Sequence, residues 1–187
     1  MTEDQVDRID IVSSREEVPE GHREGFDAIK ETRGSVGTTF GTLLNSPDMG
    51  GRVGHLGAYI RYEGILPGDE RELAIITTAR EFDSPYEWEA HEPIAREEGV
   101  SEAAIQAARR DQSVADLDEV ESLVIRYTRQ IINDYEVDDE TYQEAFDYYG
   151  TQGITELTTT IGYYAMLACV HNVFELHQGP DHPWESD

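Results

Sequence analysis

Between residues 71 and 98 apolar and charged residues repeat with a helical period on both sides of a short break, and that pattern commits this part of the chain to helices packed on helices. Glu72, Ile75, Ile76 and Ala79 fall at i, i+3, i+4 and i+7, so a carboxylate shares a face with residues of core type and is expected to point inward. Ser84-Pro85 then marks a new helix start, because a serine oxygen can accept from free N–H groups and proline suits the first helical position. Beyond it Glu87, Ala90, His91, Ile94 and Glu98 keep the same spacing, which sets Glu87 and His91 one turn apart on one face. Only Phe82 to Ser84 separate the two helices, so the spacing predicts an antiparallel hairpin with Glu72 across from the turns that carry Glu87 and His91.

Such a hairpin brings two carboxylates and an imidazole together. Burial raises a carboxylate pKa and a neighbouring carboxylate favours the charged imidazole, so the trio has the means to move protons near neutral pH. The same residues also fit a structural arrangement, with Glu72 and Glu87 paired to arginines such as Arg71 and Arg80 around a satisfied core histidine. Two carboxylates and one histidine form a recognised ligand set as well, but Glu-x-x-x-His is not the Glu-x-x-His of helical di-iron sites, and no metal is expected. Spacing alone leaves these readings open.

The rest of the chain extends the helical pattern. His22 to Thr32 is closed by Gly34, Val36 to Leu44 follows, and Ser46-Pro47 starts a helix that runs to Tyr62 and stops at Gly64. In that helix His55, one turn from Tyr59, reads either as facing a pocket or as part of a glycine-rich face for close packing. Gly99 fits a left-handed C-cap, Ser101-Glu102 opens a short helix to Arg109, and a stripe of Leu117, Val120, Val124, Tyr127 and Ile131 marks a helix over 116–133. Asp138 to Tyr149 stops at Gly150. The last helix, 153–177, is apolar nearly all round from Ile161 to Phe174 and is expected to be covered in the core or by another subunit. No alternating strand pattern and no linker interrupts this series, so the expected fold is all-α. It divides into an acidic extension, 1–20, whose Ile9, Ile11 and Val12 dock on the body, and one domain, 21–187.

Composition narrows the partners. With 40 acidic against 14 basic residues the formal charge is −26, and Lys30 is the only lysine; that field repels nucleic acid and anionic membranes, leaving a small molecule as the expected partner. The charge is spread along the chain, as on a folded acidic surface in a salt-rich, halophilic cytoplasm where ions screen the self-repulsion. The N-terminal residues have no basic or apolar signal pattern, and the run from Ile161 to Phe174 is too short for a bilayer, so a cytoplasmic protein is expected. Cys169, the single cysteine, lies in an apolar run and reads as a buried structural thiol. His177 and His182 read as solvated tail residues.

The run Arg71-Glu72-Leu73, with Tyr86-Glu87-Trp88-Glu89-Ala90-His91 and Ala95-Arg96-Glu97-Glu98-Gly99-Val100-Ser101, resembles the carboxymuconolactone decarboxylase family. It is similar also to alkyl hydroperoxidase D of the same superfamily. The likeness extends more loosely from Phe40 to Phe174. It implies an alkyl hydroperoxidase D-like helical fold and a homo-oligomer, a trimer or hexamer. It further implies a cofactor-independent lyase that decarboxylates a carboxylated lactone or moves a proton on a small carbonyl compound. By that likeness the family's glutamate and histidine fall on Glu72 and His91; in such chemistry His91 is expected as the principal acid/base, Glu72 as the group orienting and tuning it, and Glu87 as a second acid/base or a polar pocket residue. The peroxidase branch uses Cys-x-x-Cys-x-x-x-His, whose cysteine positions fall on Ser84 and Glu87, so a peroxidase of that type lacks its thiols here. The other alternative is an oligomeric binding module without catalysis. Arg52, Arg61, Arg80 and Arg96 are the candidates for holding an anionic ligand. One internal echo accompanies this: Glu72 and Glu156, and likewise Glu87 and His171, stand 84 positions apart, as a duplicated hairpin or by chance.

Overall fold

The computed structural model describes residues 8–110, 112–176 and 183–184, and among them every regular element is helical. The chain divides into two compact units, one formed by the residues up to Gly64 together with Val173–Leu176, the other by Ile65–Asn172 and the residues after Leu176.

In the first unit two short 3₁₀ turns, Arg15–Glu17 and Glu20–His22, lead into α1 (Arg23–Arg33), α2 (Gly37–Leu43) and α3 (Pro47–Tyr62). Gly34 takes the expected left-handed C-cap at φ 77°, its N–H bonded to the Lys30 carbonyl. α1 and α3 cross where a Cβ on Gly25 would stand 2.9 Å from the Gly51 Cα, and one on Gly54 would meet Ile29 at 2.6 Å, so these glycines serve close packing. His55 is exposed. Val12 and Val18 are buried with Phe26, Ile29, Val36 and Leu44, while Ile9 and Ile11 are half-buried. The Val12 N–H bonds the Gly41 carbonyl at 3.1 Å, which ties the segment before α1 to α2.

The second unit is built round α4 (Gly68–Glu81), whose residues from Glu72 to Ala79 are all buried. Leu73, Ile75 and Ile76 are each no more than 1% exposed and contribute about 1.5–3 kcal/mol apiece through apolar burial. α5 (Pro85–Glu98) packs along α4, as the hairpin spacing predicts, and α6 (Glu102–Arg109) and α7 (Glu119–Arg129) close round it. Glu81 at the end of α4 pairs with Arg129 at 3.1 Å and accepts from Asn133.

Several details differ from the sequence expectation. Ser84 holds the N-cap position of α5, but its side chain makes no capping bond; it is fully buried, and its N–H instead bonds the Ala79 carbonyl at 2.8 Å to end α4. The buried face of α5 is set by Glu87, Trp88, His91 and Ala95, with Ala90 and Glu98 exposed, because the large indole of Trp88 claims the core side. α7 starts at Glu119, after 116, since the carboxylate of Asp118 accepts the Val120 N–H at 3.0 Å and so caps the helix there. It runs on into a π-helical turn, Gln130–Asp134. α8 (Asp139–Phe174) contains the two helices expected on either side of Gly150, joined through that glycine at φ 64° and ψ −176°. Its distal half buries Ile154, Leu157, Ile161, Tyr164, Leu167 and Ala168. Gly162, Met166 and Cys169, spaced one turn apart, are exposed. Cys169 is therefore not a buried thiol: an apolar run fixes the residue types but not which side of the helix each takes. His177 and His182 lie outside the described residues.

Candidate active site

α4, α5 and α8 deliver four ionisable side chains into one buried cluster. Glu72 sits in the middle of α4 with no exposure at all. His91 reaches it from α5, Nδ1 to Oε2 at 2.7 Å, and the neighbouring Arg71 donates from Nε to Oε1 at 3.2 Å. One turn before His91, the Oε2 of Glu87 lies 3.4 Å from the other ring nitrogen, Nε2. The opposite oxygen of Glu87 is 3.3 Å from Nδ1 of His171 on α8. Glu87, His91 and His171 are 4%, 6% and 2% exposed, so these charges interact with little screening by water.

Aromatic rings hold both imidazoles. The edge of Tyr164 meets the His91 ring at 5.0 Å and 83°, and Tyr86 lies against His171 at 4.4 Å. Asn172, the residue after His171, donates to the Phe82 carbonyl at 2.7 Å. That bond anchors α8 to the turn between α4 and α5, where Asp83 adopts a left-handed φ of 50°.

Burial by itself pushes the Glu72 carboxyl upward, but the hydrogen bond from His91, the charge of His91 and the guanidinium of Arg71 outweigh it and hold Glu72 below the usual carboxylate range. Glu72 is thus an anion that accepts from Nδ1–H of His91, which leaves Nε2 as the nitrogen free to exchange a proton on the Glu87 side. His171 is pushed down to about 4, first by burial and then by the nearness of His91, and stays neutral at neutral pH.

The structure brings Glu72, Glu87 and His91 together as the spacing predicts and adds His171, which the apolar pattern of α8 concealed. The single pointer to it was the 84-residue echo, which set His171 against Glu87, the residue it meets. Of the arginines considered for anion binding in this unit, Arg96 pairs with Glu92 and Glu102 in solvent. Arg80 donates to the Arg109 carbonyl and lies 5.0 Å over the Trp184 ring. Arg52 and Arg61 belong to the other unit. Among the described residues no three His, Cys, Asp or Glu side chains gather in a metal-holding arrangement, and no helix is long and apolar enough to cross a membrane.

No curated protein matches the chain. A sequence model of one family does match, over a segment that contains Glu72, Glu87 and His91 and spans α3 to the end of α7: residues 47–130 match the carboxymuconolactone decarboxylase family.

Proposed function

We propose that the protein is a cofactor-independent acid/base enzyme, acting as a decarboxylase, or in a related proton transfer, on a small carboxylated lactone or carbonyl compound. The observation that supports this most is the buried 2.7 Å pair of Glu72 and His91, with the second nitrogen of His91 directed at another carboxylate. In the decarboxylation, the bond from carbon to the substrate carboxylate breaks and carbon dioxide leaves. The electron pair moves into the adjoining carbonyl as an enolate, and His91 delivers a proton from Nε2 to that carbon. Glu72 shares the positive charge whenever His91 holds its extra proton, and Glu87 passes to Nε2 a proton taken up from solvent, replacing the one that leaves on the product. His171, kept neutral, lies 3.3 Å from the far oxygen of Glu87 and adds no competing positive charge beside His91. The exposed stripe of Gly162, Met166 and Cys169 on α8 supports a homo-oligomer in which another copy covers it.

The test is release of carbon dioxide from a panel of carboxylated lactones and small 3-oxo acids. Replacing His91 by Gln or Ala, with helicity checked by circular dichroism, should lower turnover about 10²–10⁴-fold, the usual share of a general acid or base. Undiminished turnover in a folded His91→Ala protein overturns the assignment, and ligand-induced thermal shifts with no turnover on any compound would make the chain a binding protein instead.

A further inference from the structure

Glu87 occupies the first turn of α5, the end of a helix where backbone hydrogen bonds are fewest. The usual remedy is missing there. The buried Ser84 side chain makes no capping bond, and the first helical bond, from the Trp88 N–H to the Ser84 carbonyl, is 3.2 Å long. Tertiary packing must therefore hold this turn. α8 supplies two contacts, Asn172 on the Phe82 carbonyl and His171 against Tyr86. A third comes from the C-terminal side of the chain.

Pro183 and Trp184 are half-buried, and Trp184 packs against the core of the second unit. One residue from each of three helices engages them. Arg109 of α6 donates to the Pro183 carbonyl. The guanidinium of Arg80, near the end of α4, stands 5.0 Å over the Trp184 ring as a cation on an aromatic face, while its Nε bonds the Arg109 carbonyl at 2.9 Å. On α5 the indole of Trp88 meets that of Trp184 edge to face, with 6.0 Å between centroids and 87° between planes, an arrangement aromatic pairs prefer.

The dipeptide thus bridges the turn of the hairpin, with Arg80 before that turn and Trp88 after it. Trp88 is 4% exposed; it is the residue after Glu87 and donates the first bond of the helix. Fixing its indole fixes the direction in which Glu87 leaves α5. Glu87 stands 3.4 Å from Nε2 of His91, and a misplacement of about 1 Å in such a pair can cost about 10²-fold in rate.

We propose that Trp184 is a positioning residue: docked on Trp88, it holds the first turn of α5 so that Glu87 stays within reach of His91. Its effect on turnover rests on the acid/base reading of Glu87 and His91, whereas the docking does not.

The chain has two tryptophans, so Trp184→Ala and Trp184→Phe each leave Trp88 as the single indole. In the full chain, with helicity matched by circular dichroism, Trp184→Ala should expose Trp88 to acrylamide quenching. It should also speed amide hydrogen exchange over residues 88–91 about tenfold and leave 72–79 unchanged. Trp184→Phe, which keeps a ring for both Trp88 and Arg80, should restore the protection. On a compound that the unaltered protein decarboxylates, Trp184→Ala should lower kcat about tenfold with KM within about twofold, and Trp184→Phe should recover most of the loss. Gly25→Ala, a destabilising change in the other unit, is the control and should leave kcat unchanged. Equal quenching and equal exchange in the Ala and Phe variants would overturn the docking. Faster exchange with kcat unchanged in Trp184→Ala, or kcat lost equally in both variants, would overturn the positioning role. Absence of turnover by the unaltered protein would strike the acid/base reading alone, and exchange over 88–91 then decides whether Trp184 holds the turn.

Discussion

Acid should loosen this protein through one identifiable side chain. His171 is 2% exposed and its imidazole is pushed down to about 4 from an ordinary value of 6.5. In the unfolded chain it takes up a proton as pH falls through 6.5, while in the folded chain it resists until about 4. Over that window the unfolded state holds more protons, so stability falls as pH falls. A displacement of this size corresponds to about 3 kcal/mol once pH is below 4, of which about 2 kcal/mol is lost by pH 4.5. Glu72 adds to the loss at still lower pH, because a carboxyl held down in the folded state gives up its contribution as pH drops through its folded value. Urea unfolding at pH 7.0 and pH 4.5, in the same buffered salt, gives the wild-type difference. The variant His171→Gln keeps a polar group against Glu87 but cannot titrate, so its difference should be smaller by about 2 kcal/mol, even though the variant is less stable overall. Equal differences in the two proteins would show that His171 is not held neutral, and the account of its burial beside His91 would fall.

Gly25→Ala places a Cβ 2.9 Å from the Gly51 Cα and should cost about 1–3 kcal/mol by overpacking the crossing of α1 and α3, read as a lower urea midpoint at unchanged slope. Cys169 is exposed, so one equivalent of an aromatic disulfide reagent should react with the native protein without denaturant; protection that disappears on dilution would mark it as covered by another copy. With a formal charge of −26, unfolding temperature should rise markedly between low and molar sodium chloride as self-repulsion is screened, and equal values would remove the expectation of a halophilic protein.

The hairpin could be read from its residues because its information is local. Glu72, Ile76 and Ala79 repeat at helical spacing, the break at Phe82 to Ser84 is short, and Pro85 can begin a helix but not continue one. Glu72 and His91 then meet because two adjacent antiparallel helices leave few other places for them. His171 could not be read in this way. It arrives from a distant helix whose surroundings are apolar on every side, and only tertiary packing decides that it turns inward while Cys169 turns out. Ser84 shows the same limit on a smaller scale: its position in the chain fixed where α5 begins, but where its hydroxyl goes depended on how the end of α4 folds back over it.

Gly150 holds a pair of torsion angles, φ 64° and ψ −176°, that side-chain-bearing residues essentially never adopt. Tyr148, on one side of it, meets Glu70; Tyr164 and His171, on the other, meet His91 and Glu87. That single peptide unit therefore works as the phase setting of the whole C-terminal rod. Any bulkier residue at 150, although nothing stands nearby for it to strike, would turn every later side chain about the rod's axis and detune two chemically unrelated places at once.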